Sequence, residues 1–424
     1  MRIRTLLSAV YLPLLVASQS ETSQPGTQTT GASSSATGPA IGDVAQTTNL
    51  TYISYTSTIT LSSTGASSTG NATANQTELI GTTSTTNGTA SGTSSSARPT
   101  NTQPCNGYVE FCDRSYSNIT YVAAHNFPFI KKNNAARNQD YGIIDQLNDG
   151  IRMLQAQAHW ENETMYYCHT SCDLLNAGTV QAQFEKLVTW LEQNPFEVVT
   201  ILMGNYDLTD VTNFVPAIQN SGLEKYLYTP PQIPMGINDW PTTSELIINQ
   251  KRVIFFMDYQ ANQTVVPYIL DEFSQMWETP FSPTNPDFPC TVNRPPNLNR
   301  NQSLERMYLA NHNLNVDISD LGINILVPNV AAINQTNAVS GNSSLGLAAE
   351  TCTSDWGRPP NFLLVDFYDK GNFPGSVFQV AATMNNVTYK GKCCGGSTSG
   401  ALGRAFSSLH LVFSVGIVIL CLCL

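Results

Sequence analysis

His125 directly follows the apolar run Ile119–Ala124, and His169 stands in Tyr167-Cys168-His169, shortly after a second run, Ile151–Ala158. Two imidazoles that face one another serve as base and acid near neutral pH. The second run also carries Gln155, Gln157 and His159 at alternate positions, which puts them on one strand face. Asp258 ends the run Arg252–Met257, Asn311-His312 ends Arg306–Ala310, and Asp366 lies in Phe362–Phe367. The bland alternative is that each histidine caps its strand and hydrogen-bonds locally.

Those runs, together with Val198–Met203, read as buried strands bounded by loops and helical patterns. Thr179–Gln193 is the clearest helix. Its Phe184, Leu187, Val188 and Leu191 share a face, and Asn194-Pro195 stops it. Strands alternating with helices predict a parallel α/β fold. The number of strands allows a closed barrel. A doubly wound open sheet competes, but no Gly-rich phosphate loop or dinucleotide fingerprint supports it. In a barrel the site lies at the C-terminal ends of the strands, where the polar residues above stand.

Charged residues make up 12% of the 424, and the formal net charge is −11. That balance argues against nucleic acid as a partner, though not against a small phosphodiester in a local pocket. Met1-Arg2-Ile3-Arg4, the apolar stretch Leu6–Val16 and the small residues Ala17 and Ser18 form a secretory signal peptide, cut after Ser18. At the other end Leu409–Leu424 is almost wholly apolar. As a helix it spans only ~24 Å, short of a ~30 Å hydrocarbon core. Gly395-Gly396-Ser397-Thr398-Ser399 and a polar spacer precede it. This layout reads as a GPI-attachment signal, with a short C-terminal membrane anchor as the alternative.

Export makes the cysteines of the mature chain, eight of the ten, disulfide candidates. Cys421 and Cys423 fall in the tail. Cys105 with Cys112 and Cys168 with Cys172 read as local loops, and Cys290, Cys352, Cys393 and Cys394 as two longer links. Asn-X-Ser/Thr sequons recur from Asn49 to Asn386, which predicts a glycoprotein. Residues 19–104 are rich in Ser, Thr, Gly and Ala and cannot bury enough surface to offset chain entropy. They read as a disordered, O-glycosylated stalk. The expected order is a signal peptide over 1–18, the stalk over 19–104, a folded domain over 105–394 and a removed tail over 395–424.

The segment from about Tyr108 to Tyr389 resembles the phosphatidylinositol-specific phospholipase C X-domain superfamily, and is most similar to its fungal PLC-like phosphodiesterases. The likeness is carried by Val122-Ala123-Ala124-His125-Asn126, by Gln146-Leu147-Asn148-Asp149-Gly150-Ile151-Arg152-Met153-Leu154 and by Cys168-His169-Thr170-Ser171-Cys172. Asn194-Pro195-Phe196-Glu197-Val198-Val199 and Asn361-Phe362-Leu363-Leu364-Val365-Asp366-Phe367-Tyr368 follow in the same order. The resemblance implies an irregular TIM-type (β/α) barrel.

It also implies roles. His125 matches the general base, His169 the general acid, and Asp366 the carboxylate that orients the base. Asn126 matches a position held by Asp or by a metal-binding Asn in relatives. Gln155 and Gln157 stand on the strand where metal-dependent branches carry acidic ligands, and Gln157 where the metal-independent branch has a phosphate-binding Arg. Neutral amides are poor sole ligands for Ca²⁺ or Mg²⁺, so no metal and no cofactor is expected. Asp258 falls near an inositol-contacting Arg, and a carboxylate there would repel an anionic phosphoinositide. Asn126, Gln155, Gln157, Asp258 and His312 form the expected substrate-binding set. Arg152 points to the opposite strand face and reads as an outer salt-bridge residue.

The expected function is an extracellular phosphodiesterase, acting without a metal on a lipid, glycolipid or cell-wall phosphodiester, and held at the membrane by a lipid anchor. A catalytically inactive surface module on the same barrel is the second reading, motivated by the missing Arg and acidic ligands. A ribonuclease-like His pair is disfavoured by the negative charge.

Overall fold

The computed structural model describes residues 50–53, 55, 57–61, 102–318, 325–372, 375–391 and 393–394. The expected signal peptide, most of the expected stalk and the expected anchor signal lie outside the described residues.

Eight parallel strands form one curled sheet: β1 Tyr121–Ala124, β2 Met153–Glu161, β3 Val199–Asn205, β4 Val253–Met257, β5 Leu270–Asp271, β6 Met276–Glu278, β7 Met307–Asn311 and β8 Phe362–Val365. Their order is β6-β7-β8-β1-β2-β3-β4-β5, so the first and last strands are neighbours. The ends of the path, β5 and β6, are joined by one helical turn, Glu272–Gln275. This is the irregular α/β barrel expected. β5 and β6 escape a sequence reading because two and three residues are too short to display a period.

Alternation sorts the strand residues into two apolar layers. Ala123, Met153, Leu202, Phe256, Leu309 and Leu364 pack together in the barrel interior. Val122, Leu154, Ile201, Phe255 and Leu363 pack outward against the helices. α2, Val180–Gln193, lays Phe184, Leu187 and Leu191 on that outer layer. Thr179 caps its start by accepting the Ala182 N–H at 3.2 Å. α1, Ile143–Asp149, ends at Gly150, whose φ of 118° favours glycine. A Cβ there would also meet the Phe378 ring at 3.2 Å.

Cys105–Cys112 and Cys168–Cys172 are bonded as the spacing predicts, and of the four remaining cysteines of the domain Cys290 bonds Cys352. Cys393 instead pairs with its neighbour Cys394, so the second longer link does not form. Part of the expected stalk also differs. Ile59–Thr60 pairs antiparallel with Gln232–Ile233. The Tyr52 ring packs edge-on against Phe273 and Tyr259, at centroid distances of 5.0 and 5.8 Å. Residues 50–61 are a local run of tyrosine, Ile and Thr, good strand formers that the average composition of the stretch hides.

Candidate active site

β1 and β8 pair with Ala124 opposite Val365. The next residues, His125 and Asp366, therefore emerge side by side at the C-terminal end of the barrel. Nδ1 of His125 lies 2.8 Å from Asp366 Oδ1, and both side chains are almost fully buried. Asn138 Nδ2 donates to the same Asp366 oxygen at 2.8 Å. The carboxylate accepts, so Nδ1 carries a proton, and in the neutral ring Nε2 holds the lone pair. Asn313 Nδ2 stands 3.4 Å from that Nε2. Gln139 Nε2 donates to the carbonyls of both His125 and Val365, at 2.8 and 3.0 Å, and so clamps the two strand ends together.

β2 supplies the support below. Gln155 Oε1 accepts the Asn126 N–H at 2.9 Å, and the Gln155 carbonyl accepts the Phe127 N–H at 3.0 Å. Both bonds hold the turn in which Asn126 adopts φ 49°. The Asn126 side chain is fully buried, and its amide has no hydrogen-bond partner among the described residues. Gln157 lies opposite Gly204 of β3, where a Cβ would come within 2.1 Å of its Oε1. Glycine at 204 gives the Gln157 side chain its place.

β2 folds back through an antiparallel strand, Thr164–Cys168, and His169 follows it. The Cys168–Cys172 disulfide closes the loop around His169. His169 Nδ1 lies 3.2 Å from Thr170 Oγ1. Its ring meets Phe129 edge-on at 5.2 Å, and the Phe129 N–H donates to the Asn126 carbonyl at 3.0 Å. The loops that carry the two histidines thus meet at Phe129.

The family model described as PI-PLC X 1 matches residues 111–385. This chain belongs to the PI-PLC X family. An "Uncharacterized secreted protein" of Arthroderma benhamiae is 54% identical over 84% of this chain and 80% of its own length. A "PI-PLC X domain-containing protein 1" of the same organism is 40% identical over 67% of this chain and 90% of its own. Among solved structures, phosphatidylinositol-specific phospholipase C from Listeria monocytogenes aligns at a TM-score of 0.43 and 12% identity, over 64% of this chain and 95% of its own.

Within this PI-PLC X barrel the interior holds a charge cluster whose Glu272, Glu278 and Arg294 sequence reasoning missed. Gln155, Gln157 and Asp258 share a small cavity with Glu272, Glu278, Asn311 and Arg294. Arg294 donates through Nε and Nη2 to Glu278 Oε2, at 2.8 and 2.7 Å. Asp258 Oδ1 accepts the N–H groups of Asn205 and Tyr259, each at 2.8 Å. Burial pushes Asp258 up to about 6, against the opposing pull of Arg294. Burial and the neighbouring Glu278 charge hold Glu272 well above the carboxylate range. Arg294 sits in Asn293-Arg294-Pro295-Pro296, a loop with no periodic signal.

His312 stands apart from the His125 group. Its Nε2 lies 2.9 Å from the Thr336 carbonyl, and its ring lies against Phe288 at 3.7 Å. Burial pushes it down to about 4, which keeps it neutral. These contacts give it the local role of the bland alternative. Arg152 pairs with Glu197 at 2.6 Å, in keeping with its expected outer position.

Proposed function

We propose that this chain is a secreted phosphodiesterase in which His125 is the general base and His169 the general acid, with no metal. The observation that carries the reading is the His125–Asp366 bond at the paired ends of β1 and β8. A carboxylate on Nδ1 fixes the tautomer, leaves Nε2 to take a proton, and stabilises the imidazolium that forms. His125 deprotonates the attacking hydroxyl, and His169 protonates the leaving alkoxide. A vicinal hydroxyl as nucleophile gives a cyclic phosphate; water gives direct hydrolysis. The substrate is a phosphodiester of a lipid, glycolipid or cell-wall component. Asp258 and Glu278 in the barrel interior weigh against a multiply phosphorylated headgroup. The neutral Gln155 and Gln157, and the engagement of Glu278 with Arg294, support chemistry without a divalent cation.

The signal-like N-terminus and a relative named as secreted support export. Glycosylation at the sequons and a GPI anchor added near Gly395–Ser399 belong to the same reading.

The test is turnover by the chain from residue 19 on phospholipids, GPI-type glycolipids and an aryl phosphodiester, with and without EDTA. Turnover that survives EDTA and disappears in His125→Ala and in His169→Ala is expected. Turnover that EDTA removes, or that outlasts both substitutions, overturns the mechanism. The pairing of Arg294 with Glu278 favours one second reading, a binding module without catalysis. Its mark would be a folded chain that binds these phosphodiesters and cleaves none.

A further inference from the structure

Cleaving a phosphodiester builds negative charge on its non-bridging oxygens, which calls for a cation or strong donors close by. Arg294 is committed to Glu278, and Arg152 to Glu197 on the outer face. The next interior position of β2 carries a further group. Met153 packs in the barrel interior, and Gln155, Gln157 and His159 follow it at alternate positions on the same face. Tyr206 rises beside it just past β3, above Leu202 and Gly204, and its ring lies 4.2 Å from that of His159.

His159 Nδ1 lies 3.4 Å from Asp207 Oδ1. The other oxygen of Asp207 accepts the Trp160 N–H at 2.6 Å, so the carboxylate is held in place. The opposite nitrogen, Nε2, is buried and has no hydrogen-bond partner among the described residues; the residue is only 6% exposed. Buried polar atoms ordinarily find a partner. An imidazole with a carboxylate on Nδ1 and an unpartnered Nε2 has that second nitrogen available to a ligand, and donates from it in the imidazolium form.

We infer that His159, backed by Asp207, is a phosphate-binding cation of this site, donating its Nε2–H to a non-bridging oxygen of the phosphodiester. It takes the role that the neutral Gln157 cannot fill, one step further along the same strand face. The titratable groups facing it are Asp207, Tyr206 and, across the strand pair, Tyr166. Of these, Asp207 carries the charge nearest the ring, at 3.4 Å from Nδ1. The inference rests on the proposed phosphodiesterase reading.

The experiment is a ³¹P NMR titration of the chain from residue 19 with diethyl phosphate, beside kinetics on an aryl phosphodiester. His159→Gln weakens diethyl phosphate binding by about tenfold or more, the loss expected for one charge-assisted hydrogen bond. His159→Lys restores most of the binding, which a merely structural residue would not allow. Asp207→Asn, at a side chain 36% exposed, is the second variant should His159→Gln fail to fold, and gives a loss in the same direction. If His159→Gln binds and turns over as wild type while His125→Ala does not, the inference fails and the phosphodiesterase reading stands. If the wild type neither binds diethyl phosphate nor cleaves the aryl phosphodiester, both fail together.

Discussion

Nδ1 of His125 and Oδ1 of Asp366 lie 2.8 Å apart, and Asn138 donates to that same oxygen. Two donors on one carboxylate oxygen fix both its position and the imidazole tautomer. Asp366→Asn keeps the shape but replaces an obligatory acceptor with an amide that also donates. The variant is expected to melt close to wild type and to lose a factor on the order of a thousand in kcat on an aryl phosphodiester. A folded Asp366→Asn variant with unchanged kcat would remove Asp366 from the mechanism.

His125 is legible in the sequence because it ends an apolar run, and strand ends of a barrel are where side chains converge; Asp366 is legible as its partner only through the family resemblance. Asn138, Gln139 and Asn313 hold the dyad together, yet none is legible. Each stands in a segment whose partner is far along the chain: Asn138 meets Asp366 and Gln139 meets Val365 only once β8 lies beside β1. Arg294 is hidden for the same reason, since a proline-flanked loop gives no hint that it enters the barrel interior. His312 shows the converse. It ends a strand as His125 does, but the local carbonyl of Thr336 and the Phe288 ring claim it.

The Cys168–Cys172 bond closes a loop of sequence separation 4 around His169. So short a loop constrains the unfolded chain little, and its contribution to global stability is small, about 2 kcal/mol at most. Its effect on the site is larger, because it sets where His169 leaves the strand. Replacing both cysteines by serine is expected to lower the melting temperature by a few degrees at most and kcat by about tenfold or more. A variant that loses stability but keeps kcat would show that the loop positions nothing.

Tyr52 packs against Phe273 in the helical turn that joins β5 and β6, the two ends of the sheet path, and Ile59–Thr60 pairs with Gln232–Ile233. Tyr52 stands 3.4 Å, hydroxyl to hydroxyl, from Tyr259, whose oxygen in turn lies 3.3 Å from Arg294 Nη1. A chain starting at residue 105 loses this cover. It is expected to melt roughly 2–4 °C below a chain starting at residue 19, as is full-length Tyr52→Ala, for a loss of about 1 kcal/mol in aromatic packing. Equal melting temperatures by calorimetry would make this segment a passive part of the stalk.

His312 gives stability a pH dependence that can be isolated. Burial pushes it from the ordinary value of 6.5 down to about 4 in the folded chain. Between those values the unfolded chain binds the proton and the folded chain does not. Stability therefore falls as pH falls through this window, by about 3 kcal/mol in total. Asp258 works in the opposite sense. Burial raises it to about 6, so the folded chain takes up its proton first and gains stability as pH falls. The two overlap, and the wild-type curve alone does not separate them. His312→Gln does, because it keeps an N–H for the Thr336 carbonyl and removes only the titration. Denaturant unfolding should find the variant less stable than wild type above pH ~7 and gaining on it steadily down to pH ~4. A stability difference that stays constant with pH would mean that His312 titrates alike in the folded and unfolded chain, and that its burial beside Phe288 does not hold it neutral.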